Sequence, residues 1–118
     1  MTEFPIEGQV LVLAAAKASV APNTLPELLC RVQADLGPRL DDYRREFECV
    51  AEDDERVTFL VPSDHWTTVG DRLGCNRRET DAVRRAHTEQ LRRLGSRLGR
   101  RDEFETALEI REAVVIGV

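Results

Sequence analysis

Lysine is nearly missing from this chain: of its 17 basic residues only Lys17 is not an arginine. That bias fits a GC-rich coding sequence or a mildly salt-adapted source and says nothing about function. Histidine is scarce too, with His65 and His87 alone, and the three cysteines, Cys30, Cys49 and Cys75, form no close pair. An odd, scattered set argues against a disulfide framework and suits a reducing compartment, each thiol reading as a small buried hydrophobe. No pair has zinc-finger spacing, and a metal site would need Cys49, His65, Cys75 and His87 to converge from separate segments. No metal and no cofactor are therefore expected.

Long apolar runs are also lacking. None nears the roughly 20 residues of a membrane helix, and the opening MTEFPIEGQ has no positive charge to start a signal peptide. A cytoplasmic chain with no membrane partner is expected. There is no P-loop, no dinucleotide fingerprint and no nucleophile elbow. The acidic run Glu52-Asp53-Asp54-Glu55 lacks the glycine and spacing of a calcium loop. Nothing points to catalysis, so the chain reads as no enzyme.

What is present is a chain of 118 residues, 42% hydrophobic, enough for one domain over 1–118 with a real core. Its net charge of -5 is unevenly spread. Residues 1–61 hold 6 basic and 12 acidic residues, whereas 77–101 hold nine arginines against Glu79, Asp81 and Glu89. An acidic protein with one basic segment has a local electrostatic footprint that the overall charge hides.

The pattern predicts an α+β fold. Pro5 suits a first helical turn, and the alanine-rich, nearly all-apolar run Ile6–Val20 reads as a buried helix broken by Pro22-Asn23. Thr24 and Glu27 have capping-box spacing for a second helix, whose stripe Leu25, Leu28, Leu29, Val32, Leu36 is kinked or restarted at Gly37-Pro38. From Arg45 to Pro62 the period falls to two, with Phe47, Cys49 and Ala51 alternating against Glu46, Glu48 and Val50. After the acidic turn, Val57–Val61 is β-branched and aromatic, so the pair reads as a β-hairpin. Ser63 is placed to cap a third helix. A long helix follows Asn76 and ends near Gly95 or Gly99; Arg100–Glu105 reads as a charged connector. Ala113-Val114-Val115-Ile116 is a strand that completes a small antiparallel sheet with one face covered by helices.

The stretch Ser63–Leu98 is the one whose spacing bears on function. Gly74 supplies a turn between two helices and Gly70 a small contact where they cross. Val69, Leu73, Cys75 and Val83 fall at apolar contact positions, and Thr80 stands where Val or Ile would be preferred. The stretch resembles the helix-turn-helix pattern at most of its diagnostic places. At 100° per residue Thr80, Val83, His87, Leu91, Leu94 and Leu98 share a sector about 80° wide, which makes His87 a core histidine. Arg78, Arg85 and Arg92 lie opposite, flanked by Arg77 and Arg84 on one edge and by Arg93 and Arg100 on the other.

Two expectations follow. One is a small non-catalytic DNA-binding regulator in which Asn76, Arg77, Arg78, Arg84, Arg85 and Arg92 meet duplex DNA, the N-terminal residues, with Thr80 or Asp81, nearest the bases. The alternative is a protein-interaction domain that uses the arginine face or a free sheet edge; a homodimer through a remaining face or edge is expected as well. Cys75, at a helix N-terminus near Arg77 and Arg78, is the one nucleophile candidate, with a lowered pKa.

Overall fold

The hairpin turn contains no glycine, and Asp53 replaces one. Its Oδ1 accepts the backbone N–H groups of Glu55 and Arg56 at 2.8 and 2.9 Å, an Asx-type turn. Those bonds, that of Glu55 first, hold the Asp53 carboxyl below the usual carboxylate range. Around this turn β1 (Glu48–Glu52) and β2 (Arg56–Pro62) pair antiparallel, and β3 (Arg111–Gly117) joins the other side of β2. The sheet order is β1-β2-β3, as expected for an α+β fold completed by its C-terminal strand.

The computed structural model describes residues 6–21 and 23–118. Pro5 and Pro22, read above as helix start and helix break, lie outside them. The helices are α1 (Gly8–Lys17), α2 (Thr24–Leu36), α3 (Leu40–Glu46), α4 (His65–Leu73), α5 (Arg77–Leu98) and α6 (Arg101–Leu108). A 3-10 turn over Gly37–Arg39 restarts the chain between α2 and α3. The α2 stripe Leu25, Leu28, Leu29, Val32 and Leu36 is buried as its spacing implies.

The sheet is covered on both sides rather than one. Val57 to Val61 are buried without a break, and successive strand residues face opposite ways. The second cover comes from α6, the segment read as a charged connector. Arginines and acids dominate its sequence, yet Phe104 is fully buried and clusters with Val50, Leu60, Leu91 and Ala113. The simple alternation in β1 fails for a related reason. Register shifts between Cys49 and Ala51, so Val50 turns into that cluster while Cys49 is exposed. The Val50 carbonyl then accepts from Arg100 Nη1 at 2.7 Å.

The outer edge of β3 is closed by side chains. Trp66 Nε1 donates to the Ala113 carbonyl at 2.9 Å, and the Val115 N–H donates to His87 Nδ1 at 2.9 Å. Gln33 stands in for a neighbouring peptide group, donating to the Val115 carbonyl at 2.8 Å and accepting the Gly117 N–H at 2.9 Å. Unpaired edge groups invite another strand, and these four are already satisfied. The stretch 113–117 of β3 is therefore not a free edge, and β1 is bulged between Cys49 and Ala51.

Two helix caps differ from the expectation. α2 and α4 begin at Thr24 and His65, and Asn23 and Asp64 occupy the cap positions without a side-chain bond. Neither Thr24 nor Ser63 is the cap. The first-turn N–H of Trp66 is instead taken by Glu112 of β3, at 2.9 Å. α1 packs on α5, and its Val10, Ala14 and Ala15, with Ala18 just after it, are buried in the same core as Ala82 and Ala86 of α5. The alanines permit close approach. The outer side of α1 is open: Val12 is 63% and Leu13 40% exposed, so this helix is half-buried rather than buried.

Candidate nucleic-acid interface

Glycine, asparagine and tryptophan position the α4–α5 unit. Trp66 ties the start of α4 to β3. Its far end is held by α2, through Arg31 Nη2 on the Leu73 carbonyl at 2.6 Å and an Arg72–Asp35 pair. That arginine keeps the Asp35 carboxyl below its ordinary range. Gly74 ends α4 in the left-handed region, at φ 71°, where glycine carries no steric cost. Gly70 lies against Thr80: a Cβ added at 70 would collide with the Thr80 hydroxyl and lie 2.9 Å from its Cγ2. Both glycines do what their spacing implies.

Asn76 is a helix cap, not a free side chain. Its Oδ1 accepts the Glu79 N–H and the Glu79 carboxylate accepts the Asn76 N–H, both at 2.8 Å. This reciprocal box satisfies two donors that the helix start would leave unpaired. Asn76→Ala is expected to lower stability by about 1 kcal/mol, read by urea unfolding. A loss near zero would show that the box does not hold in solution.

The buried face of α5 is broader than the predicted sector. Ala82, Ala86, Gln90 and Gly95 join Val83, His87 and Leu91, whereas Leu98 is 49% exposed. On the other face most arginines are already engaged. Asp81 binds both Arg84 and Arg85, the latter at 2.8 Å. Burial pushes the Asp81 carboxyl up, but those two guanidinium groups outweigh it and hold it low. Arg92 lies between Glu89 at 2.6 Å and Glu105 at 2.7 Å. Arg97 pairs with Glu7 at 2.6 Å, and Arg100 with Glu103 at 2.6 Å. The acidic hairpin turn takes no part in this network among the described residues.

Arg77 and Arg78 differ. Both are exposed, and neither has an ion-pair partner among the described residues. They line an open cleft of about 720 Å³ with Ala18, Thr67, Asp71, Cys75, Thr80, Asp81 and Arg84. Cys75 is half-buried against the core, and burial raises its pKa, with Arg31 opposing and Glu79 adding. The lowered pKa expected of a reactive thiol is corrected accordingly. Cys30 and Cys49 are exposed rather than buried.

The family model described as Domain of unknown function (DUF8048) matches residues 4–118. The chain belongs to this family. No curated protein and no solved structure matches it. In this DUF8048 chain no helix among the described residues is long and apolar enough to cross a membrane. Nor do three metal-capable side chains gather among them. His87 is in the core, as its sector implies, and His65 is half-buried with the Tyr43 hydroxyl on its Nε2. Burial lowers the His65 pKa and pushes Tyr43 up to about 12. Part of the charge pairing on α5 was visible in advance: Asp81–Arg84, Asp81–Arg85 and Glu89–Arg92 have the three- and four-residue spacings of intrahelical ion pairs. Glu105 and Glu7 come from other segments and carry no such signal.

Proposed function

We propose that this domain is a non-catalytic binder of duplex nucleic acid, and that its contact is confined to the start of α5. The observation that carries the reading is the pair Arg77 and Arg78, exposed and without acidic partners among the described residues beside an open cleft. Arginine meets phosphate oxygens in a planar, two-point fashion, and phosphate contacts fix a protein's position on a duplex. The first residues of a second helix are also those nearest a groove in helix-turn-helix docking. Arg84, Arg85 and Arg92 join this contact only by giving up Asp81, Glu89 or Glu105, which lowers what each returns. Asn76 is spent on its cap.

The test is fluorescence anisotropy on a labelled duplex across a salt series. Arg77→Ala with Arg78→Ala is expected to weaken binding about tenfold or more and to lower the salt slope by roughly two, one per phosphate contact. Arg85→Ala with Arg92→Ala is expected to change it little. Reversal of that order would remove the footprint, and absence of any salt-dependent binding by the wild-type chain would remove the function.

A further inference from the structure

We infer that the outer face of α1 and the cations around it form a docking surface for an acidic amphipathic helix of a protein partner, which would cover Arg77 and Arg78 and so compete with nucleic acid. The competition rests on the nucleic-acid reading; the docking does not.

Two rows of α1 face outward. Gly8, Val12 and Ala16 form one, Gln9, Leu13 and Lys17 the other, each at four-residue spacing. Val12 and Leu13 give the centre of this face a bare aliphatic surface. α1 runs antiparallel to α5, with Glu7 bonded to Gln90 and Arg97 at one end and Ala18 in the Arg77–Arg78 cleft at the other. The aliphatic patch is therefore bracketed by cations. Arg93 Nη1 reaches Gln9 Oε1 at 3.3 Å near the start of α1; Lys17, Arg77 and Arg78 stand near its end. None of the four has an ion-pair partner among the described residues. Of the acids nearby, Glu7 and Asp81 are neutralised by arginines, which leaves Asp71 in the cleft and Glu79, whose carboxylate is bonded to the Asn76 N–H at the α5 cap.

A patch with an apolar middle and a cationic rim fits a ligand with an apolar stripe between carboxylates. A duplex has no apolar stripe to offer it. A second copy of this face would bring like charges together across a two-fold axis. An anionic membrane fits the rim, but two medium-sized aliphatic side chains without an aromatic anchor give a shallow insertion, and a net charge of -5 opposes approach. A helix laid beside α1 uses the whole surface, as in helix-in-groove recognition.

The probe is a fluorescein-labelled synthetic helix with a leucine stripe flanked by glutamates, and its lysine-flanked counterpart as control. The glutamate peptide is expected to bind the full chain and the lysine peptide not to. Val12→Asp with Leu13→Asp should weaken peptide binding tenfold or more while leaving duplex binding and the unfolding midpoint in place. Arg93→Glu, remote from the duplex contact, should weaken it as well. Addition of the peptide should release a bound duplex. Peptide binding indifferent to Val12, Leu13 and Arg93 overturns the docking surface. So does retention by vesicles rich in phosphatidylserine without peptide binding, or a dimer mass that the Val12 and Leu13 changes convert to monomer. If the peptide binds and the duplex never does, the docking surface stands and the nucleic-acid reading falls.

Discussion

Lowering the pH from 7 to 5 is expected to cost the folded protein about 2 kcal/mol through His87 alone. Its side chain is fully buried, with its ring 4.4 Å from that of Trp66, and burial pulls its pKa down from 6.5 to about 3. Because Nδ1 accepts the Val115 N–H, the single ring proton of the neutral form is on Nε2. Nε2 has no partner among the described residues. A second proton has to displace the Val115 bond, and the charge it brings meets no carboxylate among the described residues. The folded pKa is depressed, so the unfolded chain takes up the proton first. Stability from this group is whole above 6.5 and drains away as the pH falls toward 3. His65 acts in the same direction, since burial lowers it too. Glu112 works the other way, because burial raises its carboxyl and favours the folded state in acid. The carboxylates held low by arginine, Glu7, Asp35 and Asp81, lose their contribution below about pH 4, outside this window. Urea unfolding at pH 7 and pH 5 should show the loss, and His87→Gln, which retains an acceptor for Val115, should flatten most of the slope. An unchanged slope in that variant would place the titrating group elsewhere.

His87 also marks where the sequence could be read and where it could not. Its position in the apolar sector of a long helix is a local property, fixed by 100° steps from Val83 and Leu91, and local periodicity made it a core residue. The partner that makes this tolerable, the Val115 N–H, is 28 residues on and belongs to a sheet edge. Gly74 and Gly70 were legible for the same local reason. What failed was set from a distance. Ser63 is a sound cap by type, yet Glu112 of β3 reaches the α4 N-terminus first. α6 was hidden because arginines and acids surround Phe104, and only the second face of the sheet explains why that ring is buried. On the arginine face the pairs made by Asp81 and Glu89 follow from helical spacing, whereas those made by Glu105 and Glu7 do not, because these acids are far away in sequence. An all-apolar helix such as α1 gives no sign of which side lacks a neighbour, so its pattern alone places Val12 and Leu13 in the core, whereas both are exposed. The unit proposed to bind is therefore legible in outline, and its charge only in part.

Gly70→Ala is expected to destabilise the domain by about 2 kcal/mol, against the roughly 1 kcal/mol that alanine gains over glycine inside a helix. The added methyl would meet the Thr80 hydroxyl and lie 2.9 Å from Cγ2 and 3.1 Å from Cβ of that residue. Rotating the Thr80 side chain relieves one atom at the expense of another, so α4 and α5 must separate. α4 cannot move freely, because Trp66 pins it to β3 and Arg31 and Asp35 of α2 hold its other end. Thr80→Ala removes both the hydroxyl and Cγ2 and leaves only the Cβ contact at 3.1 Å, which a shift of a few tenths of an ångström relieves. Alone it should cost little, since Thr80 is half-buried and in no side-chain hydrogen bond found among the described residues. Combined with Gly70→Ala it should restore most of the lost stability, a coupling of about 1–2 kcal/mol in a double-mutant cycle. Additive losses would mean that the two helices do not touch at this pair in solution. The same cycle bears on binding, because the spacing of α4 and α5 sets where Arg77 and Arg78 stand. Duplex affinity that falls in Gly70→Ala and returns with Thr80→Ala would tie the close crossing of the two helices to the arginines at its end, whereas affinity that ignores both changes would separate the contact from the helix pair that carries it.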